Sequence, residues 1–131
     1  LSCRRIEIPA FHYMIGVAGG ATLRCAEYAT FGTQALSRAM LVALEDRTAC
    51  LLANHGMVCY GPSLAKALWL AVEIETLCKQ YVIACQSGVP VILDDAEMER
   101  VLARFKTYGK QPAADGDGAG AGADAPVRRD G

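Results

Sequence analysis

Residues 51–61 read LLANHGMVCYG, and a single imidazole, His55, breaks two apolar runs. The chain holds 2 histidines in all, His12 and His55. Two readings of His55 stand side by side. One is a tight turn whose tip carries an imidazole; the other is a metal ligand held at a stiff strand end. In the second, Gly56 lets the backbone turn without crowding a cation. Cysteine chemistry finds less support: the 6 cysteines (Cys3, Cys25, Cys50, Cys59, Cys78, Cys85) form no C-x-x-C pair, which is poor zinc-finger spacing. Most have apolar neighbours, where cysteine packs as a small hydrophobe. Cys78 and Cys85 fall at helical spacing and are expected to share one buried face. Gly19-Gly20 is no phosphate loop, since neither G-x-G-x-x-G nor a Walker pattern follows. Glu73 and Glu75 read as solvated helix charges, Glu75 pairing with Lys79 four positions on.

The elements that must position these groups follow from periodicity and punctuation. Pro9 opens an expected helix over 9–18, which Gly19-Gly20 ends. Leu23 to Ala29 suits one strand. Gly32-Thr33 supplies a break and an N-cap oxygen, and Leu36, Met40, Ala43 and Leu44 then recur at helical spacing. Thr48 to Ala53 and Met57 to Tyr60 read as two strands of a hairpin linked by Asn54-His55-Gly56. Ser63 can cap a long helix with an apolar stripe of Leu64, Ala67, Leu68, Ala71, Ile74, Cys78, Tyr81 and Cys85. Ser87-Gly88 closes it. Asp94 can cap a last helix, with Glu97 reaching back in a capping-box variant; Met98, Val101, Leu102 and Phe105 form its stripe. From Gln111 the composition collapses to Gly, Ala and Asp, so 111–131 is expected to be a disordered tail and 1–110 the folded part.

Helices flanking a small sheet with an antiparallel hairpin make this an α/β layered domain. Three short strands leave apolar helix faces uncovered, and the first residue is Leu1, so the chain is expected to be a piece of a longer protein. A formal net charge of −1 with no long Lys/Arg run argues against nucleic acid. No apolar stretch approaches the roughly 20 residues of a membrane span, and no signal-peptide layout is present. Reduced thiols in a cytoplasm are the expected setting.

Four stretches, in order, resemble the class II aldolase/adducin-type family: IPAFHYMIGVAGG (8–20), YATFGTQALS (28–37), LLANHGMVCYGPSLAKALWLAVEIETLCKQYV (51–82) and EMERVLARFKTYG (97–109). The resemblance covers almost everything before the tail. It implies an incomplete α/β/α domain whose N-terminal half is missing. It also implies one divalent metal, Zn2+, held by three histidines. His55 matches one of them; the other two, a His-x-His pair, are expected upstream of Leu1. An upstream glutamate and phosphate-cradling loops are likewise absent, so the chain alone is expected to bind zinc poorly, to be inactive, and to aggregate or order only in part.

By the same resemblance, Tyr13 is the phenol that protonates an aldehyde oxygen, delivered from a neighbouring subunit of a symmetric homotetramer. Phe31 and Tyr108 line or cover the substrate pocket. His12, beside Tyr13, reads as a structural residue satisfied by a hydrogen bond. The implied activity is retro-aldol cleavage of a ketose 1-phosphate, a sugar-phosphate substrate, to dihydroxyacetone phosphate and an aldehyde. A pentulose-phosphate 4-epimerase is the alternative on the same scaffold. A non-catalytic adducin-like interaction module or an inactive remnant is the alternative from another class.

Overall fold

The structure, a computed structural model, describes residues 1–107. Its centre is β2 (Ala49–Leu52), every residue of which is buried. Strand β1 (Cys25–Ala26) pairs parallel to it, with Cys25 opposite Leu51. Strand β3 (Gly56–Cys59) pairs antiparallel on the other side, with Leu51 opposite Met57, so the three-stranded sheet runs β1-β2-β3. Alternation along β2 decides what each face covers. Ala49 and Leu51 join one core with Ile8, Ile15, Leu23, Leu70, Ile74 and Leu77. Cys50 and Leu52 join another with Ala26 and Ala43.

Helix α1 (Gln34–Ala43) starts where Thr33 Oγ1 accepts the N–H of Leu36 at 3.3 Å. Helix α2 (Leu64–Ser87) starts likewise at Ser63, whose Oγ accepts from Lys66 at 3.3 Å. Asp94 caps α3 (Asp95–Thr107) through Oδ1 and the N–H of Glu97 at 2.7 Å. These caps satisfy donors that a helix cannot pair internally. Among the described residues the reciprocal half of the capping box is not made. The Glu97 carboxylate turns forward and accepts from Arg100 Nε at 2.8 Å. The pair expected on α2 does form, Lys79 Nζ lying 2.8 Å from Glu75.

Four expectations need correction. The helix over 9–18 is a six-residue 3-10 helix, Tyr13–Ala18. Ile8 is drawn into an extended bridge with Leu23, their N–H and C=O groups exchanging bonds of 3.0 and 2.9 Å. That leaves Pro9 to Phe11 irregular, and Ile15, Gly16 and Val17 are weak helix formers. The strand over 23–29 shrinks to Cys25–Ala26, with Leu23 spent in the bridge to Ile8. Ile74, Cys78 and Tyr81 of the expected α2 stripe do pack on the core, but Leu70 and Leu77 complete that face, whereas Leu64 is 90% and Leu68 66% exposed. That helix is apolar nearly all round, so periodicity alone could not choose its face. Cys85 is exposed while Cys78 is half-buried, so the two do not share a buried face. The sheet is also mixed, because β1, α1 and β2 form a parallel crossover beside the hairpin.

Residues 111–131 of the expected tail, and residues 108–110 before them, lie outside the described residues. No helix among the described residues is long and apolar enough to cross a membrane.

Candidate functional site

The hairpin tip is built from Ala53, Asn54 and His55, between β2 and β3. The N–H of His55 donates to Leu52 O at 3.0 Å and closes the turn. Asn54 takes the left-handed position, φ 53, which Asn tolerates better than most residues. His55 itself is exposed, and among the described residues its ring makes no hydrogen bond. The tip lies at the carboxyl ends of the parallel strands β1 and β2, the edge of an open α/β sheet where ligands commonly bind.

This tip is tied to the start of the chain. Asn54 N–H donates to Ser2 O at 3.1 Å, and Arg5 Nε donates to Asn54 Oδ1 at 2.5 Å. The Arg5 guanidinium also lies over the Tyr28 ring, 5.2 Å from its centroid. Neither contact follows from residue type or spacing in the sequence, since Arg5 and Asn54 lie 49 positions apart. Asn54 was legible as a turn residue, but nothing in the pattern joins it to Arg5.

A solvent-facing, unbonded imidazole at a stiff turn suits one coordination position of a divalent cation. It does not make a site by itself: no group of three or more His, Cys, Asp or Glu side chains among the described residues could hold a metal ion. The donors present therefore fit one ligand of a zinc centre and not the whole of it.

Tyr13 belongs to a different neighbourhood. It opens the 3-10 helix, half exposed, with two other rings near its own. His12 stacks on it at 4.9 Å between centroids, and Phe105 of α3 lies 6.4 Å away at an interplanar angle of 28°. Tyr13 also lines a groove of about 480 Å³ with Met14, Val17, Trp69, Val101 and Phe105. His12 is structural here, because its Nδ1 accepts the N–H of Met14 at 3.2 Å and caps the 3-10 helix. Gly16 makes room for α3: a Cβ there would sit 2.8 Å from Phe105 Cε2.

Phe31 stands in the turn before α1, 80% exposed, touching neither Tyr13 nor His55 through any ring pair among the described residues. Tyr108 lies outside the described residues. Among the described residues no ring pair or hydrogen bond joins Tyr13, Phe31 and His55. The glycine pair is a packing feature: Gly19 sits at φ 98 against Asp46, and Gly20 lies under the Arg47 guanidinium. Burial pushes the Cys50 thiol up to about 11, with Cys25 beside it adding to the rise. Burial likewise raises Cys25, so neither thiol is poised as a nucleophile.

Comparison with known proteins identifies relatives of the chain as a whole. Residues 1–82 match the family model described as class II aldolase and adducin N-terminal domain. The 5-methylthioribulose-1-phosphate/5-deoxyribulose-1-phosphate aldolase of Rhodospirillum rubrum is 55% identical over 109 residues, 83% of this chain and 49% of that protein. The L-fuculose phosphate aldolase of Escherichia coli K12 is 51% identical over 105 residues, 79% of this chain and 48% of that one. A solved L-fuculose 1-phosphate aldolase superposes with a TM-score of 0.77 at 45% identity, covering 81% of this chain and 50% of its own. The chain spans about half the length of the curated relatives it matches.

Proposed function

The chain belongs to the class II aldolase and adducin N-terminal domain family, and on that premise we propose that it is the C-terminal part of a zinc-dependent sugar-phosphate aldolase. The reaction is the cleavage of a ketose 1-phosphate to dihydroxyacetone phosphate and an aldehyde. The relatives act on fuculose phosphate and on 5-deoxy- or 5-methylthioribulose 1-phosphate, as their names state, and the proposed substrate is drawn from this class. The whole protein is proposed to complete the layered α/β/α domain and to assemble as a cytoplasmic homotetramer.

The observation that carries this reading is the place of His55. Its imidazole is exposed at the carboxyl ends of the strands, and Ser2 is bonded to the adjacent Asn54. Polypeptide joined to Leu1 would therefore emerge beside His55, where a His-x-His pair could supply the missing donors. A bound zinc supplies Lewis acidity to the hydroxyl and carbonyl oxygens of the substrate.

Tyr13 is proposed to handle the proton at the other end of the bond. In the condensation direction its O–H gives a proton to the aldehyde oxygen as that oxygen becomes a hydroxyl. In cleavage the phenolate takes the proton back as the carbon–carbon bond breaks. Half-exposure leaves the phenol accessible to a site on a neighbouring subunit. Phe31 and Tyr108 are proposed to close the pocket around the aldehyde.

The test is zinc stoichiometry of the intact polypeptide with His55 replaced by alanine. Loss of bound zinc with the fold retained is expected. Unchanged stoichiometry would end the ligand assignment.

A further inference from the structure

Three separate stretches of chain meet at the carboxyl end of the β1–β2 pair, and one side chain joins them. The first is the turn Ser2–Arg4, which ends in Arg5. The second follows β1: Ala26 O accepts the N–H of Ala53 at 3.1 Å, and Tyr28 stands two residues on. The third is the hairpin tip. Arg5 Nε donates to Asn54 Oδ1 at 2.5 Å while its Cζ lies over the Tyr28 ring, 5.2 Å from the centroid.

Both Arg5 and Asn54 hold left-handed backbone conformations, φ 53 each. Arg5 takes its conformation as the C-cap of the first turn, its N–H on Ser2 O at 3.0 Å, and Asn54 as a turn residue that tolerates that region. Side-chain bonds add to these local causes. The Asn54 side chain is held by Arg5, and its N–H by Ser2 O at 3.1 Å. Neither bond touches the hydrophobic cores, so each fixes a direction rather than the fold.

We propose that Arg5 is the positioning residue of the hairpin tip: bonded to Asn54 and lying over Tyr28, it holds the stretch of backbone that carries His55. The inference rests on the reading of His55 as a metal donor. It requires arginine specifically, because a planar guanidinium can stack and donate through Nε at once, whereas an ammonium cannot.

The experiment compares Arg5→Met, Arg5→Lys and Tyr28→Leu in the intact polypeptide. Amide hydrogen exchange is followed at Asn54 and His55, and at Cys50 and Val58 in the β2–β3 ladder. Affinity for Zn2+ alone is measured in parallel. Arg5→Met is expected to speed exchange at Asn54 and His55 about tenfold, leaving Cys50 and Val58 unchanged, and to weaken zinc about tenfold. Arg5→Lys should fail to restore either, and Tyr28→Leu should give a smaller loss of the same kind. Unchanged exchange at the tip overturns the proposal. So does an equal rise at all four amides, which marks global destabilisation, or a faster tip with wild-type zinc affinity. His55→Ala separates the two readings. If zinc binding survives it, the donor assignment falls, while the exchange result still decides whether Arg5 holds the tip.

Discussion

The two residues proposed for chemistry are held by opposite means. His55 sits on a tip fixed by polar bonds from Ser2 and Arg5, outside both cores. Tyr13 sits on a 3-10 helix fixed by ring packing against His12 and Phe105, whose own seat depends on Gly16. Polar bonds at an exposed tip set direction with little consequence for global stability, because water replaces them readily. Apolar packing sets position and stability together, because the same close contacts do both. Substitutions in the two regions should therefore separate: function without stability at the tip, both at the groove.

The largest expected effect is on turnover. Tyr13→Phe keeps the ring stack and removes the proton, so kcat of the intact enzyme should fall about a hundredfold or more with bound zinc unchanged. Equal turnover would leave Tyr13 a packing residue. Next comes Gly16→Ala, whose methyl would meet Phe105 Cε2 at 2.8 Å. It should destabilise by about 1–3 kcal/mol, measured by urea denaturation, and shift the fluorescence of Trp69 in the adjoining groove. A wild-type midpoint would mean that α3 is not seated as described.

His12→Ala removes the acceptor that caps the 3-10 helix and should cost about 1 kcal/mol by the same measurement. The Cys50 thiol provides a pH test of the core. Its folded value, pushed up to about 11 from an ordinary 9.0, means that the native state keeps its proton longer than the unfolded chain does. This contribution is complete below pH 9 and is lost as pH rises toward 11. Iodoacetamide at pH 8 should accordingly label the exposed Cys3 and Cys85 and spare Cys50 in the native protein. The smallest expected change is in the stability of His55→Ala, within about 0.5 kcal/mol of wild type. A larger loss would show the tip to be part of the cooperative core and erase the contrast between the two regions.

Much of the fold was legible where the cause is local. Thr33, Ser63 and Asp94 cap the helices they precede. Asn54 takes the left-handed turn position, and Gly19 ends the 3-10 helix at φ 98. Each depends on a residue's own conformational range and on partners a few positions away. His12 as a satisfied structural residue was legible for the same reason. The candidate site was legible only in part: His55 and Tyr13 stood out by type and motif, whereas Arg5 and Tyr28 carried no signal.

What the sequence alone determined, then, is the family, the order of helices and strands, and the identity of the one imidazole that sits at a turn. The tertiary structure decided which face of α2 is buried, that Ile8 pairs with Leu23 instead of opening a helix, and that Arg5 reaches Asn54 across 49 positions. The physical reason is that an apolar residue can bury itself on any face that finds a partner. A guanidinium, likewise, can donate to any acceptor the chain brings near. Type and spacing define what such groups can do, and only the folded path of the backbone selects the partner with which they do it.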